Sequence, residues 1–143
     1  MLVKLLPNQI PAYEDVIREC IEKSMPDYEE EFKTNLFKEL LLETSQCWIS
    51  YKEEDQFEGV VITKINSDLA IGFNTITIVC LYCPGGSELV SFIYGWETLK
   101  KFGLANDCKV LDFYSNNSAV LDYAENFKIK RKTNYYQMDL TGD

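Results

Sequence analysis

One hydrophobic core suffices for a chain of 143 residues, so the sequence reads as a single domain over residues 1–143. Its formal net charge of −9 works against a nucleic-acid backbone as the main ligand, and its lack of histidine removes every Ser-His or Cys-His catalytic scheme. No run approaches the roughly 20 apolar residues of a membrane span, and "MLVKLLPNQIPAYED" carries no signal-peptide apolar region, so a soluble, cytoplasmic protein with no membrane partner is expected.

The chain opens with a short strand, "LVKLL". Tyr13, Val16, Ile17, Cys20 and Ile21 then recur at the spacing of one helix face, with Pro11 near the first turn, where its missing N–H costs nothing. Pro26 ends this helix. Asp27 is expected to cap a second one with Glu30 as its capping-box partner, and Phe32, Leu36, Phe37, Leu40 and Leu41 to form its apolar stripe.

From Cys47 the period changes from 3.6 to 2. "CWISY", the charged turn "KEEDQ", "FEGVVITKI" and a turn at "NSD" predict a hairpin, and "TITIVCLYC" predicts a central strand covered on both faces. A Pro-Gly-Gly turn follows, then a helix carrying Leu89, Phe92, Ile93, Trp96, Leu99 and Phe102, with Lys100 and Lys101 in its last turn and Gly103 as its stop. "KVLDFY" predicts a strand, "NNSAVLDYAENF" a short helix and "KIKRKTNYYQMDL" a closing hairpin turning near Asn134. The predicted order is β-α-α-β-β-β-α-β-α-β-β, an α/β (α+β) fold with a mixed, mostly antiparallel sheet flanked by about four helices.

The five cysteines, Cys20, Cys47, Cys80, Cys83 and Cys108, fall mostly in apolar runs and read as reduced core residues. Cys80 and Cys83 form a lone C-x-x-C with no second pair, so no metal is expected. Between Pro11 and Gln46 ten carboxylates face four bases. This acidity suits a solvated helix face, or a lip that attracts a cationic substrate or basic partner.

This order, with the glycine turn before the long helix and the late "NNSAVLDYAENF", resembles the GNAT family of acetyl-coenzyme A dependent N-acetyltransferases over nearly the whole chain. Asn116, Ala119 and Tyr123 match the family's Asn-x-x-Ala-x-x-x-Tyr helix, and Asn126 stands where the family has glycine before Phe127. The resemblance implies that Tyr123 protonates the departing coenzyme A thiolate. Ala119, Val120, Tyr123 and Phe127 also make a plain packing stripe.

It further implies acetyl-CoA as cofactor, with the strand end Cys80, Leu81 and Tyr82, the turn Gly85, Gly86 and Ser87, and Asn116 binding it. Small residues there let backbone N–H groups and a helix N-terminus approach a pyrophosphate. Only two glycines of the family's loop pattern remain: Tyr82 and Ser87 occupy its first and last positions, Pro84 lacks an amide donor, and Glu88 is negative. A turn that only reverses the chain is the alternative.

For the base that takes the amine proton, the family often uses a central-strand glutamate. "TITIVCLYC" has no carboxylate, which leaves Glu58 and Asp112 on the neighbouring strands. Cys83 as an acyl-relay nucleophile has no histidine to activate it. Lys128, Lys130 and Lys132 alternate onto one strand face, where they would meet the 3′-phosphate of coenzyme A or an acidic partner, or guard an exposed edge.

Three functions follow. The first is an N-acetyltransferase acting on a small-molecule or protein amine. The second is an inactive GNAT-fold module for protein interaction, as a homo-oligomer or in a larger assembly. The third is an acidic, inhibitor-like protein that binds a basic partner.

Overall fold

A computed structural model of the protein describes residues 1–70, 72–86, 89–113, 129 and 138–141. Among these, β1 (Leu2–Lys4), β2 (Gln46–Tyr51), β3 (Phe57–Asp68), β4 (Phe73–Tyr82) and β5 (Cys108–Phe113) form one sheet in chain order. Neighbours are antiparallel except β4 and β5, which run parallel. That is the mixed, mostly antiparallel sheet the alternating runs predict. The expected helix with Asn116 and Tyr123 and the closing hairpin with its lysines lie outside the described residues.

Helices α1 (Glu14–Ser24) and α2 (Glu30–Leu41) cover one face, packing Ile17, Cys20, Ile21, Leu36, Phe37 and Leu40 onto Cys47, Ile49, Val60, Ile62 and Cys80. Fully burying one aliphatic side chain contributes about 1.5–3 kcal/mol, so Ile17 and Ile21 supply a large part of what holds α1 to the sheet. Helix α3 (Leu89–Ala105) covers the other face, where Leu99 and Phe102 meet Leu2, Trp48 and Val61. On that side the buried Thr63 hydroxyl is satisfied by Trp48 Nε1 at 2.9 Å and by Gln46 Oε1 at 2.9 Å. No described helix is long and apolar enough to cross a membrane.

Five local expectations are corrected. Pro11 lies in a 3-10 turn, Pro7–Tyr13, that precedes α1. Asp27 does not cap α2: Glu29 is its N-cap, because Tyr28 N–H closes a turn onto Met25 O that takes Asp27 into its middle. Of the expected α2 stripe, Phe32 and Leu41 are exposed. "NSD" is not a turn, since Asn66, Ser67 and Asp68 pair with Thr75, Asn74 and Phe73, and Ser67 Oγ donates to Asn74 Oδ1 across the ladder. The chain reverses at Leu69, Ala70 and Gly72 instead.

Gly103 is likewise no helix stop, for α3 runs on to Ala105. A Cβ there would lie 3.0 Å from Ile76 Cγ2, so the glycine lets the last turns of α3 approach β4 closely.

Candidate active site

Two irregularities shape the C-terminal end of β4. Ile62 pairs with Cys80 but Thr63 pairs with Ile78, which leaves Val79 as an extra residue in β4. The last β4–β5 pair is Ile78 with Phe113, so among the described residues nothing pairs with Val79–Tyr82 on the β5 side. The Ser24 hydroxyl, at the end of α1, donates to Leu81 O at 3.3 Å beside this segment.

The expected coenzyme residues divide by position. Cys80 is 2% exposed and points into the α1 side of the core, while Leu81 is exposed and Tyr82 half-buried. The turn after β4 is closed by Gly86 N–H donating to Cys83 O at 3.0 Å, and Gly86 takes a φ of 78°, which favours glycine. That amide is spent inside the turn. Pro84 has none, so Gly85 holds the one amide of the three with no partner among the described residues. Ser87, Asn116 and Tyr123 fall outside the described residues.

Glu58 lies at the start of β3, one strand over. Ser50 pairs with Gly59 and Tyr51 with Phe57, so Glu58 is itself the extra residue of a second bulge. Its side chain belongs to a residue only 4% exposed; Oε1 accepts a hydrogen bond from Ser50 Oγ at 2.7 Å, and Oε2 is buried with no partner among the described residues. The other base candidate, Asp112, is half-buried and accepts from Thr77 Oγ1 at 2.6 Å. Of the two, Glu58 is the one whose unpaired oxygen is buried, with no partner among the described residues.

Cys83 adjoins it. Its thiol is pushed up by burial and then by the Glu58 carboxylate, with Lys52 opposing, so it holds its proton at neutral pH and is a poor nucleophile. The other four cysteines are buried and free. Burial and Cys80 push the Cys47 thiol up to about 12.

On the α1 side of the same sheet end, Tyr13 and Tyr51 share a hydroxyl hydrogen bond of 2.9 Å, and Tyr82 donates to Glu19 Oε1 at 2.9 Å. A hollow of about 340 Å³ opens beside them, lined by Pro11, Ala12, Tyr13, Glu14, Asp15 and Val16. Its titratable lining is carboxylate and phenol.

Sequence reasoning had singled out Glu58 but missed Ser50 and Gly59. A signal for both existed: an isolated glycine inside the strand pattern "FEGVV" marks a bulge or a close backbone approach. A Cβ on Gly59 would lie 2.5 Å from Tyr82 O and 2.7 Å from Cys83 Sγ.

No family model and no curated protein matches the sequence. Solved structures match over almost the full length. A probable acetyltransferase superposes with a TM-score of 0.73 at 11% identity, over 100% of this chain and 99% of that one. An aminoglycoside acetyltransferase from an uncultured soil metagenomic sample, in complex with sisomicin, gives 0.73 at 13% identity, over 98% and 95%. AAC(6')-Iy, in complex with the bisubstrate analogue CoA-S-monomethyl-acetylneamine, gives 0.71 at 9% identity, over 97% and 97%. The chain has the GNAT acetyltransferase fold.

Proposed function

We propose that the protein is an N-acetyltransferase that moves an acetyl group from acetyl-CoA to a primary amine. The observation that carries this reading is the superposition of the chain over its whole length on acetyltransferases, with a bulge at Val79 near the end of β4. A neighbour bound to a CoA conjugate supports the cofactor.

In this reading acetyl-CoA, when bound, supplies the activated acyl thioester. The backbone at the end of β4 would polarise its carbonyl, Gly85 and the start of α3 would face the pyrophosphate, and the strand end would hold the reacting carbon in place. Glu58 is the candidate for taking a proton from the acceptor ammonium, and Tyr123 for returning one to the leaving thiolate. Glu14, Asp15 and Glu19 near the hollow favour a cationic acceptor, and the sisomicin-bound neighbour makes aminoglycosides the first acceptors to try.

A second reading has one observation in its favour. With Pro84 lacking an N–H and Gly86 N–H bonded to Cys83 O, the turn is poor in donors, as in a GNAT-fold module that has lost its coenzyme and binds a protein. The deciding experiment is release of free coenzyme A thiol from acetyl-CoA in the presence of sisomicin, spermidine or a lysine peptide. Amine-dependent release supports the enzyme; release no faster than the blank with every amine supports the module.

A further inference from the structure

Several ammonium groups of the protein pair with a carboxylate: Lys33 with Glu22, Lys64 with Glu39 and Lys100 with Glu97. Lys4 and Glu43 do not. Both line a hollow of about 230 Å³ where the end of β1 and the start of β2 meet the chain just past α2 and α3. Among the described residues neither side chain has an ion pair or a hydrogen bond, with each other or with anything else.

Two amides line the same hollow. Trp48 Nε1 can only donate, so Thr63 Oγ1, which it meets at 2.9 Å, gives its own proton to Gln46 Oε1. That fixes the Gln46 amide and leaves Nε2 with protons to give. Asn106 Nδ2 donates to Phe102 O at 2.8 Å, which leaves Oδ1 as an acceptor. Leu5, Ile10, Leu40, Ile65 and Phe102 supply the apolar lining.

Glu43 holds its place at a cost. Its φ of 61° is left-handed, a conformation that favours glycine or asparagine just past a helix, so a carboxylate stands where the backbone favours a residue without one. Such outliers gather at ligand sites.

Hollows for drug-sized ligands run to about 300–1,000 Å³, so an occupant here is smaller. It meets one free cation, one free anion, an amide donor, an amide acceptor and apolar walls. We propose that this hollow binds a free apolar α-amino acid: Lys4 Nζ and Gln46 Nε2 meet its carboxylate, Glu43 and Asn106 Oδ1 its ammonium, and Leu40, Ile65 and Phe102 its side chain. Ile65 pairs with Ile76, about 20 Å from Tyr82 along β4 at about 3.4 Å per residue. The site is thus remote from the strand end assigned to the acyl group, and the inference does not rest on the acetyltransferase reading.

The test is a set of calorimetric and melting titrations on the full chain with L-leucine, L-valine and L-phenylalanine. Two further probes each carry one charged end of leucine, 4-methylpentanoate the carboxylate and 3-methylbutylamine the ammonium. L-leucine at about 10 mM should raise the melting temperature by about 3 °C. Each half-probe should bind about tenfold more weakly, because one charged hydrogen-bonding end is missing. Lys4→Met and Glu43→Gly should each weaken leucine binding about tenfold. Glycine suits the left-handed backbone, so Glu43→Gly should melt no lower than the wild type.

No response to any of the three amino acids overturns the site. A half-probe that binds as tightly as leucine overturns the zwitterionic ligand, since one charged end then suffices. Unchanged leucine affinity in both variants overturns its place between Lys4 and Glu43. If Lys4→Met fails to fold, Lys4→Gln and Glu43→Gly carry the comparison.

Discussion

Gly59 and Cys83 lie so close that a side chain on the first would collide with the second. The hypothetical Cβ meets Cys83 Sγ at 2.7 Å and, harder to move, the backbone oxygen of Tyr82 at 2.5 Å. Alanine normally suits a strand better than glycine, but here the ladder itself must shift. Gly59→Ala is expected to cost about 1–3 kcal/mol in urea denaturation. Combining it with Cys83→Ala should recover little, because the tighter contact is with backbone; a full recovery would place the strain on the thiol.

The turn after β4 offers a cleaner contrast. No described residue lies within 4 Å of a Cβ built on Gly85, and its backbone is not in the left-handed region, whereas Gly86 has a φ of 78°. Gly85→Glu should keep the wild-type melting temperature and abolish acetyl-CoA binding by adding charge and bulk where phosphate would sit. Gly86→Glu should lose binding as well, with about 1–2 kcal/mol of backbone strain added. Unchanged affinity in Gly85→Glu would show that phosphate does not sit at this turn.

Lys64 ties β3 to α2 through Glu39 at 2.7 Å. Burial raises the Glu39 carboxyl, but hydrogen bonds from Lys64 and Ser45 more than reverse this, so it rests below its ordinary 4.5. A depressed acid contributes stability above its unfolded value and loses it as pH falls through the folded one. Lys64→Met should therefore cost about 0.2–1 kcal/mol at pH 7, screened as the pair is by solvent. Denaturation curves for the two proteins should converge as the pH drops below 4.5; a gap that persists in acid would mean that Lys64 acts by packing alone.

Tyr51 ionises late, pushed up from 10.0 to about 12 by the Tyr13 hydroxyl, then by burial and the nearby Asp55. A raised value means that its contribution to stability is whole below pH 10.0 and fades as pH climbs toward 12. Tyr13→Phe should bring one phenol in the ultraviolet absorbance titration back toward its ordinary range. A superimposable titration would mean that the pair does not persist in solution.

The strands were legible because apolar alternation states which face is buried, and β2, β3 and β4 fall where that period of 2 runs. Polar turn residues misled where the tertiary ladder satisfied them: Ser67 with Asn74 keeps "NSD" extended. Gly103 misled for a different reason, since a glycine demanded by packing on Ile76 looks in sequence like one that ends a helix. Glu58 could be chosen among the carboxylates by its strand. Its bare oxygen and its bond to Ser50 could not, because a bulge is a property of two strands and "FEGVV" shows only one.

The most direct test of the acetyltransferase account is a calorimetric titration of the protein with acetyl-CoA, beside coenzyme A and an analogue lacking the 3′-phosphate. Micromolar binding of acetyl-CoA, lost in Gly85→Glu, is the predicted result. No heat of binding at millimolar ligand would contradict the account and leave the turn after β4 as a chain reversal on a fold that serves another purpose.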